Sequence, residues 1–309
     1  MTAPVVKGRV SILMPAYNHA AYVDQALASI DAQDYPDLEV VAIDDGSRDA
    51  TFDHLRAWAG RTRHKAIVLR QENQGLIRTL ERAFATASGE YIGFLASDDW
   101  LAPGKVIAQV RDLEELGADA AYGSITDVWA SGRQASPGAI EFIERWDPDA
   151  FIAGLVTGHG PMLQAGLFRR SVLDAAGGID QGFPQEDWPL QIEVARRARR
   201  VVVRREPVVF YRHHPQNMVR TRSRELMRWK IRIARKYTRG ATRRRACAIA
   251  RALHARDLLP QAPWRALGHY AVARVRAPRT LLVHRFGWQF LHRVRTGAPP
   301  SPPLPPKAT

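Results

Sequence analysis

The sequence predicts an α/β protein: a mostly parallel central sheet flanked by helices, followed by a basic helical C-terminal extension. Short apolar runs of four to six residues alternate with amphipathic segments from residue 9 to residue 122, the pattern of βαβ units whose strands are covered on both faces. Hydrophobic residues make up 46% of the 309, enough to fill a large core. Charge divides unevenly: residues 1–219 carry 23 Lys/Arg against 29 Asp/Glu, whereas residues 220–309 carry 22 against 2. The net +14 is therefore the sum of a −6 body and a +20 tail.

In chain order, residues 9–14 form an apolar run ended by Pro15, and 22–32 carry Val23, Ala26, Leu27 and Ile30 at helical spacing. Residues 38–43 read as a buried strand closed by the turn cluster Asp44-Asp45-Gly46-Ser47. Helix 50–59, strand 66–69, helix 77–87 and strand 91–95 follow. Residues 103–116 read as a helix with Pro at its start, and 118–122 as the next strand. Further on, 201–203 and 208–211 read as two short strands, and 222–237, 243–259, 264–275 and 281–294 as helices.

Ligands of such sheets bind beyond the carboxyl ends of the strands. The residues there are Pro15, Ala16, Tyr17 and Asn18 after the first strand, Asp44 and Asp45 after the second, and Ser97, Asp98 and Asp99 after the fourth. Two acidic pairs on one edge repel unless a cation or hydrogen-bond donors compensate. Asp98 with neighbouring oxygens suits a hard divalent ion, Mg²⁺ or Mn²⁺. No GxGxxG follows the first strand and no GxxxxGK[ST] occurs, which argues against dinucleotide dehydrogenases and P-loop NTPases. The single cysteine, Cys247, excludes an intramolecular disulfide and a paired-cysteine zinc site, and points to a reducing compartment. No apolar run reaches the ~18–20 residues that span a bilayer, and no signal-peptide core is expected at the N-terminus.

Three blocks, SILMPAYN at 11–18, VVAIDDGS at 40–47 with Asp49 and Thr51, and GEYIGFLASDD at 89–99, resemble in order and spacing the family 2 glycosyltransferases of GT-A fold. The resemblance covers about residues 8–220. It implies that Pro15, Ala16, Tyr17, Asn18 and Ser97 line a nucleotide pocket. Asp44 would bond the base, usually uracil, with Asp45 beside it, and thymidine and guanosine stay open. Asp98, with Asp99 adjacent, would take the metal position of the DxD motif. Ala96 stands where many members carry Asp, so one carboxylate is missing. Arg78 would reach the diphosphate from the helix after Asn73-Gln74-Gly75.

Transfer to a hydroxyl also requires a base, because the free hydroxyl is a poor nucleophile at neutral pH. The segment FPQEDW at 183–188 resembles the family's Glu-Asp motif. This implies Asp187 as base, Glu186 in support, and inversion at the anomeric carbon. YRHHPQN at 211–217 resembles the segment in which a His approaches the metal or diphosphate, with His214 the better match. His159 in GHGP, 158–161, would contact the acceptor.

The expected organisation is a GT-A domain over 1–220, a basic helical region over 221–296 and a Pro-rich disordered tail over 297–309. Arginine-rich faces opposite Trp264, Tyr270, Phe286, Trp288 and Phe290 suit an anionic membrane interface. The expected protein is cytoplasmic and peripheral at the inner face of the plasma membrane. It takes a nucleotide-sugar donor and a glycan or lipid-linked acceptor in cell-envelope or exopolysaccharide synthesis. Nucleic acid is not an expected partner, because the body is acidic. Two alternatives stand beside this. A sugar-nucleotidyltransferase should show a glycine-rich basic loop after the first strand, where the chain has Ala16-Tyr17-Asn18-His19. A non-catalytic polyanion-binding protein should show salt-sensitive nucleic-acid affinity.

Overall fold

The computed structural model describes residues 4–135, 146–184, 186–217, 222–259 and 261–277. The chain divides into two compact units, one of Met1–Ile152 with Gly160–His213 and the other of Ala153–His159 with His214–Thr309.

Among the described residues the first unit is built on one sheet of nine strands: β1 Val6–Ala16, β2 Leu38–Asp44, β3 Lys65–Arg70, β4 Gly89–Phe94, β5 Trp100–Leu101, β6 Ala120–Trp129, β7 Gln134–Ala135, β8 Gly166–Arg169 and β9 Val201–His213. Their order is β3-β2-β1-β4-β8-β6-β9-β5, with β7 paired to β6. The run β3-β2-β1-β4 is parallel, as is the β6–β9 pair. Strand β8 enters antiparallel between β4 and β6. All seven residues of β2 are buried, as expected of a central strand covered on both faces. The covering helices include α1 Val23–Asp31, α2 Thr51–Ala59, α3 Leu76–Thr86 and α4 Lys105–Glu115. Helix α1 turns Val23, Ala26, Leu27 and Ile30 inward, the stripe its spacing predicts.

Several expected boundaries moved, each for a local reason. Strand β6 runs on to Trp129 because Ser124, Thr126 and Asp127, which look like loop residues, pair with β9. The two short strands expected at 201–203 and 208–211 are one strand, β9. Its exposed stretch 204–207 coincides with two register shifts against β6, a bulge that disguises a continuous strand as a turn. Helix α4 starts at Lys105, after Gly104 in the left-handed region at φ 72°, so Pro103 lies outside the helix it was expected to open. After α5 Pro148–Thr157, a short 3-10 turn at Leu163–Ala165 leads into β8 and α6 Arg170–Ala175. Helix α7 Asp187–Arg197 precedes β9.

A buried carboxylate ties the amino ends of the strands together. Glu39 on β2 is fully buried and accepts bonds from Ser11 Oγ at 2.6 Å, Ser88 N at 2.8 Å, Ser88 Oγ at 2.7 Å and Lys65 Nζ at 2.6 Å. Burial alone would raise its pKa, but the bonds from Lys65, Ser11 and Ser88 hold it down at about 2. β1, β2, β3 and the entry to β4 all meet at this group.

The second unit contains α8 Ser223–Tyr237, α9 Gly240–Leu258 and α10 Pro263–Arg276. Helix α9 packs on both neighbours. Its small residues Ala248, Ala252 and Ala255 meet Ala266, Tyr270 and Ala273 of α10 in two apolar clusters. No helix among the described residues is long and apolar enough to cross a membrane. The helix expected at 281–294 and the tail at 297–309 lie outside the described residues.

Candidate active site

Three loops gather at the carboxyl edge of β1, β2 and β4. The register sets Ala16 against Asp44 and Leu13 against Phe94, which brings the expected pocket residues to one edge. After β1, Tyr17 is exposed and Asn18 takes a left-handed conformation at φ 53°. Asn18 N donates to Ser47 Oγ at 2.9 Å, Asn18 Oδ1 accepts from Arg48 N at 2.8 Å, and His19 N donates to Thr51 Oγ1 at 2.8 Å. The first two sequence blocks are thus laced into one wall.

Asp44 is buried at the end of β2. Its Oδ1 accepts from Ser47 N at 3.1 Å, while Oδ2 has no hydrogen bond among the described residues. Asp45 is turned away from its neighbour. Its oxygens accept from Gln71 Nε2 at 2.8 Å, Gln74 N at 2.9 Å and Gly75 N at 2.9 Å, holding the loop that enters α3. The turn needs Gly46: its φ is +77°, and a Cβ there would lie 2.9 Å from Asn73 N. Arg78 lies exposed on α3 and pairs with Glu81 at 3.1 Å, a solvated helix-face contact.

After β4 the carboxylates of Asp98 and Asp99 diverge. Asp99 is buried, accepting from Gln164 Nε2 at 2.6 Å and from Arg212 N at 2.7 Å. Burial, and then the neighbouring Asp98 charge, push its pKa well above the ordinary carboxylate range. Arg212 Nε also donates to the Asp98 carbonyl at 2.8 Å, and its guanidinium stacks over Trp100 and Tyr22. Asp99 is therefore held by protein on both oxygens. Asp98 instead turns toward His19, whose Nε2 lies 3.9 Å from Asp98 Oδ2 and whose Nδ1 lies 2.8 Å from Ser97 Oγ.

That separation is too long for a hydrogen bond. It suits two ligands of one divalent ion, about 2.1 Å from each. A ring nitrogen aimed at the ion while the other is fixed by a hydrogen bond is the usual arrangement of a metal-binding histidine. His19 Nε2 and Asp98 Oδ2 therefore fit a divalent cation between them.

Glu186 caps α7 and Asp187 opens its first turn, with Asp187 Oδ1 accepting from Trp188 N at 2.6 Å. Both are half-buried. Burial, and then Asp187, raise the Glu186 pKa well above its usual value. Helix α7 packs on the 3-10 turn that carries Gln164, so the Glu-Asp pair and Asp99 share one support. His213, the last residue of β9, bonds Asp127 Oδ1 at 2.7 Å and stacks on Trp129 with ring centroids 4.4 Å apart.

His214 and His159 belong to the second unit. His214 N donates to Asn217 Oδ1 at 2.6 Å, and exposed His159 lies 3.3 Å from Thr157 Oγ1 at the end of α5. Sequence reading missed His19, Gln164 and Arg212. His19 had a signal, since it follows the first strand directly beyond Asn18. Arg212 had one too, since it lies in the YRHHPQN block, although no role was read for it; Gln164 had none, because only the fold brings it to Asp99.

The sequence model described as Glycosyl transferase family 2 matches residues 11–175. The glycosyltransferase GlyA of Streptococcus pneumoniae is 31% identical over 120 residues, which are 39% of this chain and 17% of that protein. Two solved structures share the fold over nearly the whole chain. TarS 1–349 of S. aureus, in complex with UDP-GlcNAc, gives a TM-score of 0.60 at 18% identity, covering 94% of this chain and 92% of that one. The mannosyltransferase PcManGT of Pyrobaculum calidifontis, in complex with GDP-Man and Mn²⁺, gives 0.59 at 20% identity, covering 96% and 84%.

Proposed function

The chain belongs to glycosyl transferase family 2, and we propose that it moves a sugar from a nucleoside diphosphate donor to a hydroxyl of a glycan or lipid-linked acceptor. It is a glycosyl-transferring enzyme of GT-A fold; donor, acceptor, stereochemistry and setting are our reading. The observation that carries it is the pairing of Asp98 with His19 beside the joined loops after β1 and β2.

Pro15, Ala16, Tyr17 and Asn18 form the donor wall, and Asp44 keeps a free acceptor oxygen at its base for an N–H of the nucleotide. Uracil is the base we favour. Asp98 and His19 would hold a divalent ion, Mn²⁺ or Mg²⁺, which supplies neutralising charge for the diphosphate as it leaves. His214 keeps the third-ligand role that its motif implies. Support comes from connectivity, since Arg212, two residues earlier, bonds both Asp98 and Asp99. Asp99 positions the loop rather than meeting substrate, and Asp45 does the same for the loop before α3.

Asp187 takes the proton of the acceptor hydroxyl as its oxygen bonds the anomeric carbon and the bond to the diphosphate breaks. An in-line displacement of this kind inverts the configuration. Glu186, its pKa raised, supports Asp187 from the helix cap. His159 is retained as an acceptor contact. We place the enzyme at the cytoplasmic face of an anionic membrane through its basic region, in cell-envelope or exopolysaccharide synthesis.

A thermal-shift screen of UDP-, dTDP- and GDP-sugars, with and without Mn²⁺, tests the donor assignment. One nucleotide sugar should stabilise the protein only with the ion. Failure of all three in both conditions would remove the reading.

A further inference from the structure

The second unit holds a cavity that the transfer reaction does not use. It has a volume of about 1520 Å³ and opens between α8, α9 and α10. Arg222, Arg224 and Arg228 enter it from the start of α8, Arg251 from α9 and Arg265 from α10. Against these five guanidinium groups stand two carboxylates, Glu225 and Asp257, and Asp257 is already engaged by Arg256 at 3.0 Å. Among the described residues, none of the five arginines forms an ion pair, and Arg251 bonds only the carbonyl of Cys247, at 3.3 Å. Positive groups gathered in one concavity repel unless an anion joins them.

Two histidines form part of the lining. His254 is buried, with Nδ1 3.1 Å from Ser223 Oγ, and its ring meets that of His269 edge-on at 4.8 Å. Burial lowers both pKa values. Each is lowered further by Arg224, His254 also by His269, and His269 also by Arg251. The first turn of the 15-residue helix α8 lies in the same wall and has no side-chain cap, so its N–H groups add to the positive field. Planar guanidinium forks from three helices, imidazoles and an uncapped helix start are the donor set that recognises phosphate oxygens.

We propose that this cavity binds a multiply charged phosphate group, of the diphosphate or phosphomonoester class, at a site separate from the donor pocket. The inference stands on the second unit alone and does not depend on the transfer reading. The group can come from a lipid headgroup or from a soluble phosphorylated molecule, and the arms of the test separate these sources.

The probe is inorganic pyrophosphate, titrated by calorimetry into the full chain in EDTA, which silences a metal-dependent donor site. The unaltered protein and Asp98→Ala should bind it alike. Arg224→Ser/Arg265→Ser should weaken binding roughly 10-fold or more, the loss of two charge-assisted contacts. The single variant Arg228→Ser covers the case in which the double variant does not fold. A readout that needs no variant is the imidazole NMR signals of the unaltered protein, two of which should move on titration. Flotation with phosphatidylcholine vesicles, with and without phosphatidic acid, assigns the source. Pyrophosphate-sensitive flotation with phosphatidic acid identifies a lipid headgroup, and pyrophosphate binding without flotation identifies a soluble ligand. No binding by the unaltered protein, equal binding by the arginine variants, or loss of binding in Asp98→Ala would overturn the proposal. Nucleotide-sugar binding with Mn²⁺ in the arginine variants reports on the transfer reading separately.

Discussion

Replacing Glu39 by Gln tests how the sheet holds the site. Glu39 is fully buried and takes four hydrogen bonds from Ser11, Ser88 and Lys65. Its pKa falls from an ordinary 4.5 to about 2 in the folded protein. At ~1.4 kcal/mol per pH unit, the charged form contributes on the order of 3 kcal/mol at neutral pH. Because the folded value is the depressed one, this stability is present above about pH 5. It is lost as the pH falls through about 2. The amide of Gln also turns an N–H toward existing donors, a further cost of ~1–3 kcal/mol. Together these come to about 4–6 kcal/mol, at or just above the ~3–5 kcal/mol usual for breaking a buried charged pair. Urea denaturation followed by circular dichroism should show that loss at pH 7, and the gap should narrow to ~1–3 kcal/mol as the pH falls to about 2. Glu39 and Asp44 are five residues apart on β2, roughly 17 Å, so turnover measured well below the melting transition should not change. A loss below about 1 kcal/mol at pH 7, or a gap that does not narrow in acid, would show that the buried carboxylate does not hold the sheet this way.

Three further outcomes follow from the site. His19→Ala should weaken Mn²⁺ binding ~10-fold or more, read by electron paramagnetic resonance, with the melting temperature within a few degrees of the parent. Gly46→Ala forces a side chain into φ +77° and within 2.9 Å of Asn73 N, so it should cost ~1–3 kcal/mol by denaturant melt and raise the donor KM. Glu186 has a raised pKa from burial and from Asp187, so the folded state holds a proton that the unfolded chain has released. Its contribution to stability should therefore fall as the pH rises above about 4.5. Glu186→Gln should flatten that slope in a pH series of melts.

The parts of the fold that could be read from sequence are those where one physical signal acts alone. β1, β2 and β4 are largely buried strands, β3 is a half-buried edge strand with a four-residue apolar run, and α1 to α3 are amphipathic helices, so their apolar pattern reports directly on packing. β8 carries no such signal, because four residues, Gly166–Arg169, are too few to show a period, and its antiparallel direction depends on partners distant in sequence. β9 was obscured by the exposed bulge at 204–207, which mimics a turn. In the site, Asp44, Asp98 and Asp187 were visible as acidic groups at the ends of elements. Which carboxylates the fold ties into its loops was not visible. Asp45 and Asp99 look equivalent to their neighbours in sequence, yet both are consumed by donors from α3's loop, Gln164 and Arg212. His19 shows the reverse case, a residue of little distinction in the chain that β1 and β4 together place beside Asp98.

The most direct test of the account is Asp187→Asn, assayed for release of nucleoside diphosphate from the donor identified in the screen, alongside calorimetric donor affinity with Mn²⁺. Turnover should fall by at least ~100-fold while the donor Kd stays within a few-fold, because Asp187 acts on the acceptor proton and not on the donor. Retention of most of the turnover, or a loss explained by donor affinity alone, would contradict it.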